Sequence, residues 1–419
     1  MKRFYTIIYS VFFCSLLFAQ QIKDDRGYIR CYSNQVLDQE LKQEPGLKGR
    51  MDAIEEQTQK WISEHPNESG DRAVITIPVV VHVLWRLSNS NISDAQIQSQ
   101  IDVLNEDYAR LNADTINTPS VFQGVAANTQ VQFCIAKQDP NGQATTGITR
   151  TQVTTQNIGW TNKYYQTSQG GHDIWDRDSY LNFWVCEIGN GILGFSQFPG
   201  ANASKDGVVI DYRYFGTIGT ATSPFDLGRT ATHEVGHWVN LRHIWGDSNC
   251  GNDNVSDTPT QQAANYYCPS FPHVTCGNGP NGDMFQNYMD YTDDDCMNIF
   301  TQGQAARIAA TLNGTRSSLQ SSIGCDYPSS ISKLRKANNI NLYPNPSRGN
   351  ITISFSGNRP NEAEISIRNI LGELIYNVIY TVDTKRTIRL DLSNYQDGLY
   401  FITIKTESGS ELKKIQLKH

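Results

Sequence analysis

Three of the chain's eight histidines fall within eleven residues, in HEVGHWVNLRHIWGD at positions 233–247. Residues four apart share a helical face, so a helix here presents His233 and His237 to one point. Imidazole nitrogens suit zinc, and three protein ligands leave a coordination position open for water or substrate. Glu234, beside the first histidine, can take a proton from that water without being a ligand. His243 completes the set only if the helix stops soon after His237 and the chain doubles back. A left-handed residue makes that turn; glycine adopts it most cheaply and asparagine is the best substitute, so Asn240 fits. HExxH alone could be a surface helix with two histidines. The third histidine at its offset, with a residue able to turn at 240, makes it a metal site.

The elements that must carry these residues can be read around them. AVITIPVVVHVLW at 73–85 is a β-branched strand buried on both faces for much of its length. Ser93 caps a following helix, with Ile97, Ile101, Leu104, Tyr108 and Leu111 on one face. Strands are expected at 130–136, 180–188, 191–198 and 207–212, and helices at 230–240 and 302–312, the last started by Thr301 and stopped near Gly314. Strands and helices alternate up to the motif, and loops dominate after it. Beyond a hydrophilic linker at 326–339, short alternating strands (ITISF, AEISIRNI, TIRLDL, GLYFITIK, KKIQLKH) describe a small β-sandwich at 340–419.

At 419 residues the chain has room for two or three domains. Lys2 and Arg3 before an apolar run to Ala19 read as a secretory signal peptide, 1–19, too short for a membrane span. No later segment is long enough to cross a bilayer, so the mature chain has no transmembrane segment. Cys14 leaves with the signal, and the other eight of nine cysteines then face an oxidising compartment. A formal charge of −7 excludes nucleic acid as a partner. Residues 20–71 are polar and helix-leaning, with a single cysteine, Cys31; resemblance to a known family over the residues that follow implies that they are a pro-segment, cut before Arg72 to release a catalytic domain at 72–325.

HExxHxxNxxH, NLRHIWGD and NYMDYTDDDC at 287–296 resemble the pappalysin family of metzincin zinc metallopeptidases, over roughly residues 73–325. The resemblance implies an α+β fold: a metzincin-type catalytic domain with a twisted mixed sheet, helices and a loop-rich C-terminal half, followed by the small Ig-like sandwich. It implies a secreted endopeptidase, made as a latent precursor, that hydrolyses peptide bonds with Glu234 as general base. Met289 becomes the methionine beneath the zinc. Tyr291 becomes the stabiliser of the developing oxyanion, the alternative being a structural tyrosine. Relatives cut before Arg or Lys, which points among Asp293, Asp294 and Asp295 to Asp295 as the pocket acid, or else to a solvated acidic loop. Asp253, Asp257 and Thr258 in GNDNVSDTPT resemble the family's calcium loop, although acidic loops are often merely solvated. Cys250–Cys276 and Cys268–Cys296 are the pairings it implies, where the sequence alone permits three. Cys134, Cys186 and Cys325 leave an odd count unless Cys31 joins them. Cys31 is a thiolate that closes the zinc's open position, as in some relatives, or else a disulfide partner or a thiol of no consequence; Cys186, in an apolar strand, is easily left unpaired, which favours the first. GFSQFPG becomes the edge strand on which extended substrate pairs.

LYPNPSRGNITISF, NILGELIY and GLYFITIK resemble the type A sorting domain of the type IX secretion system. That implies export through the periplasm to the medium or the outer cell surface, with the secretion machinery as a partner beside protein or peptide substrates. A glycan-binding or spacer sandwich is the alternative for this domain. For the whole chain the alternative is a surface binding protein on a metzincin fold with little or no activity; Glu234 and all three ligands speak against it.

Overall fold

The apolar run at 73–85 becomes the spine of a sheet. In the computed structural model, residues 23–66, 73–328, 340–355, 360–406 and 409–419 are described. The expected signal peptide, the junction at Arg72 and most of the linker lie outside them. Strand β1 (Ile75–Trp85) is joined on one side by β2 (Val131–Ile135) along its first half and β3 (Ile148–Gln152) along its second. On the other side lie β4 (Leu181–Cys186), then β6 (Val208–Asp211), then β5 (Gly194–Ser196) at the edge. All pairings are parallel except that of β5 with β6. Strands covered on both faces read as continuous apolar runs. Val79, Val80, Val81 and Val83 are accordingly all buried, each contributing roughly 1.5–3 kcal/mol.

Helix Asp94–Tyr108, capped by Ser93, and helix Arg229–Trp238 put Ile97, Ile101, Leu104, Tyr108, Ala231 and Val235 into the sheet's main core. Leu111, expected on the same face, is instead 74% exposed. The helix ends at Tyr108 and Arg110 turns left-handed at φ 54°, which carries Leu111 away. Strand β3 was absent from the sequence reading, because ITRTQ is polar and only partly buried. Helix Gln302–Asn313 begins at Thr301, which exchanges side-chain hydrogen bonds with Gln304.

Between helix Arg229–Trp238 and helix Gln302–Asn313 the chain has little regular structure. It is stapled by Cys250–Cys276 and Cys268–Cys296, the pairings the resemblance implied, while Cys134–Cys325 closes the unit. Cys31 and Cys186 are buried and unpaired. The expected pro-segment forms helices Ser33–Gln43 and Leu47–Glu64.

Residues 1–326 and 327–419 are separate units. The second is a sandwich of a four-stranded and a three-stranded antiparallel sheet around Ile351, Ile353, Ile365, Ile367, Ile402 and Ile404. Its strands include Ile340–Tyr343 and Leu374–Thr381, which the sequence reading did not single out.

Candidate active site

Helix Arg229–Trp238 is fixed at its start by an acid and at its end by a turn. The Asp294 carboxylate accepts from the backbone N–H groups of Leu227 (3.0 Å) and Arg229 (3.2 Å), where negative charge complements the helix dipole. At the other end Asn240 is left-handed at φ 72°. Its N–H donates to His237 O (2.9 Å) and that of Leu241 to Gly236 O (2.8 Å), the paired bonds of a Schellman stop. The chain then returns, and the Nε2 atoms of His233 and His243 lie 3.1 and 3.0 Å from His237 Nε2.

Each imidazole is held from behind. The Nδ1 atoms of His233 and His237 face the carbonyl oxygens of Tyr288 (2.7 Å) and Leu241 (2.8 Å), and that of His243 faces Asp247 Oδ1 (2.5 Å). Acceptors there fix the proton on Nδ1 and aim the Nε2 lone pairs at a common point. Burial, then the neighbouring imidazoles, push the pKa of His233 well below its ordinary value and that of His237 down to about 3, so both rings are neutral. Cys31 Sγ joins the three nitrogens, all within 4.8 Å of one another. Three nitrogens and one sulfur, close and buried, are a donor set that fits tetrahedral zinc.

Glu234 is fully buried, and burial pushes its carboxyl up to about 7. Its Oε2 accepts from Ser33 Oγ (2.7 Å) and Cys31 Sγ (3.5 Å), while Oε1 has no protein partner. Met289 lies against the helix between His233 and His237: a Cβ on Gly236 would meet its Sδ at 2.4 Å. The Tyr291 ring sits 5.7 Å from that of His233 and 4.9 Å from that of His243, and Trp245 stacks on His243 at 4.4 Å.

The burial of the three consecutive aspartates does not favour the expected one. Asp295 is exposed, whereas Asp294 is fully buried. The tight turn Asp294–Cys296 sends Asp294 and the disulfide-bonded Cys296 inward and Asp295 outward. Against Asp294 lies Arg30, 3% exposed, bonded to it at 2.9 Å, to Thr230 Oγ1, and over the Phe225 ring. Arg26 pairs with Asp293 through both of its terminal nitrogens, at 2.8 and 2.7 Å.

The residues assigned to calcium are engaged locally. Asp257 accepts from Thr301 Oγ1 (2.7 Å) and Gly303 N (2.8 Å) at the start of a helix. Thr258 Oγ1 donates to Asp253, whose carboxyl burial pushes up to about 7.

Sequence reasoning preferred Asp295 to Asp294, and missed Ser33 and the buried network behind the helix. There Asp107 accepts from Arg229 (2.6 Å), Thr232 (2.7 Å) and Tyr288 (3.0 Å). Asp247, four residues after His243, was visible as a spacing.

Comparison with known proteins agrees with this geometry. Residues 165–313 match the family described as pregnancy-associated plasma protein-A, and residues 341–418 the secretion system C-terminal sorting domain. An extracellular metalloprotease of Arthroderma benhamiae is 33% identical over 250 residues, 58% of this chain and 80% of that one. Mature mirolysin of Tannerella forsythia, solved with a cleaved peptide, is 49% identical with a TM-score of 0.57, covering 60% of this chain and 97% of that one. A promirolysin variant from the same organism is 46% identical with a TM-score of 0.63, covering 69% and 96%. The chain therefore belongs to the pappalysin family of metallopeptidases, as an extracellular member that carries a type IX secretion sorting domain.

Proposed function

We propose that the chain is a zinc endopeptidase made as a latent precursor, cutting before Arg or Lys, with Cys31 closing its metal site. The observation that carries this is the convergence of Cys31 Sγ with three imidazoles, directly beside Arg30 buried on Asp294. His233, His237 and His243 hold zinc, which when bound supplies the Lewis acidity that polarises a scissile carbonyl and activates water. Glu234 takes the proton of the attacking water and passes it to the leaving amine. Glu234 lies beside the three imidazoles, where a carboxylate can do both. Tyr291, whose phenol is a hydrogen-bond donor at neutral pH and whose ring lies against His233 and His243, stabilises the developing oxyanion, and Met289 floors the site.

The pro-segment supports the latent reading. Ile29 bridges Ile192 in parallel, and Tyr32 N–H donates to Gly194 O at 3.0 Å, so the pro-segment occupies the β5 edge. At the metal it offers a thiol where a substrate would offer a carbonyl, which leaves no bond to cut. Arg30 fills the leaving-group pocket that a substrate Arg or Lys would take, with Asp294 rather than Asp295 as its acid. Calcium is retained in the proposal at Asp253 and Thr258, because the buried Asp253 carboxyl has no basic side chain bonded to it among the described residues. The sorting domain hands the precursor to the type IX machinery.

The test is a peptide-library digest by protein freed of its pro-segment, beside Glu234→Ala, with and without calcium. New N-termini at Arg or Lys from wild type alone are expected. Absence of Glu234-dependent cleavage from folded, zinc-loaded protein would leave a binding protein on the same fold. A different preference would remove only the Asp294 pocket, and indifference of activity and Tm to calcium would remove the calcium site.

A further inference from the structure

We propose that Gln197 and Lys205 form a carboxylate-binding subsite on the far side of the metal from Asp294, selecting substrates with an acidic residue upstream of the scissile bond. It rests on the reading that the pro-segment leaves the catalytic unit. The pro-segment crosses the site in order: Arg30 on Asp294, Cys31 at the metal, then Ser33, whose Oγ accepts from Ser196 N at 2.8 Å. Its helix Ser33–Gln43 then brings Glu40 to the end of β5. Glu40, only 8% exposed, meets Lys205 Nζ at 2.5 Å. The Gln197 amide, 2% exposed, faces the same carboxylate. Electrostatics requires its nitrogen there, giving contacts of 2.8 and 3.0 Å to the two oxygens.

A cation and an amide thus grip a carboxylate through both oxygens in a nearly dry site. When the pro-segment leaves, Lys205 keeps, among the described residues, the Tyr165 ring 6.0 Å away. The ammonium and the Gln197 amide that held Glu40 are then available to a replacement carboxylate. The space that Tyr32 and Glu40 vacate adjoins a cavity. Tyr32 and Glu40 wall a cavity of about 170 Å³ whose other side is Trp160, Tyr164, Phe195 and Lys205. Since Arg30 marks the leaving-group side and Glu40 follows Cys31 in the chain, the subsite receives residues on the N-terminal side of the cut. The pro-segment then mimics substrate at two charged positions of opposite sign.

The test uses quenched peptides with Arg after the scissile bond and a single Glu or Gln moved through each upstream position. For mature wild type, kcat/KM at one position should favour Glu over Gln by roughly tenfold, the scale of a hydrogen bond to a charged group. Lys205→Gln should bring that ratio near one and Lys205→Arg should preserve it. Equal rates for Glu and Gln at every position in wild type would overturn the subsite while leaving the peptidase intact, whatever the variants do. A wild-type preference that survives Lys205→Gln in folded protein would overturn the assignment to Lys205. Failure to cut any peptide would remove the peptidase reading and the subsite with it.

Discussion

A left-handed φ of 72° at Asn240 turns two histidines on a helix into three at a point. That residue was legible because its requirement is local: the spacing from His237 to His243 can close only through such a turn. The convergence of His233, His237 and His243 was legible for the same reason. Asp294 was not, because which of three consecutive aspartates faces inward depends on a tight turn and a disulfide far along the chain. Nor could sequence decide between ligand and disulfide for Cys31, a question of what faces it across the cleft. Its thiol, with burial and the nearby Glu234 pushing its pKa far up, would stay protonated unless a cation stabilised the thiolate. Replacing it in the full chain is therefore informative. Cys31→Ala should raise peptidase activity of the uncleaved precursor roughly tenfold or more, since a coordination position becomes open. Latency equal to wild type, measured on a quenched peptide before any pro-segment cleavage, would make Cys31 a bystander.

At the scale of elements, β1 was the most legible feature and also hides the least expected group. His82 sits in the middle of this apolar strand, fully buried, stacked on His172 at 4.3 Å. Its ring nitrogens meet Thr149 Oγ1 (2.8 Å) and Asn182 Oδ1 (3.0 Å). Burial, and then His172, push its pKa down to about 3. The folded state therefore keeps His82 neutral where the unfolded chain, near 6.5, already takes up a proton. The stability so held is complete above pH 6.5 and is lost progressively as pH falls toward 3. At pH 5 the loss is about 2 kcal/mol. A His82→Gln variant should consequently show a flatter fall of Tm between pH 7 and pH 4 than wild type, even if less stable at neutral pH. Parallel curves would mean that His82 does not titrate differently in the two states. The strand's burial followed from its β-branched run, but the partners of its one histidine come from β3 and β4, and β3 is too polar to announce itself. Leu111 fails in the opposite way, its helical spacing continuing past a helix that has already stopped.

At the scale of the molecule, the boundary between the two units fell where composition changes, after Cys325, and both folds followed from their strand patterns. What sequence left open was how the first unit closes on itself, since the odd cysteine count allowed several solutions. Cys134 at the end of β2 pairs with Cys325, 191 residues later, so the last residues of the unit are tied to its sheet. Hydrogen bonds reinforce the tie: Lys137 N–H donates to Gly324 O at 2.7 Å, and the Gln138 amide to Ile323 O at 3.2 Å. Cross-linking so long a loop restricts the unfolded chain strongly, and removing such a bridge costs about 2–5 kcal/mol. Cys325→Ser should lower Tm of the pro-segment-free catalytic unit by roughly 4–15 °C. It should do so without changing kcat on a short peptide, because the bridge lies at β2, at the opposite edge of the sheet from β5. A Cys134→Ser, Cys325→Ser double variant should match the single one, showing that the loss belongs to the bridge and not to a stray thiol. An unchanged Tm would mean instead that the backbone bonds around Gly324 already hold the end in place, and that the disulfide protects the unfolded chain less than its loop length implies.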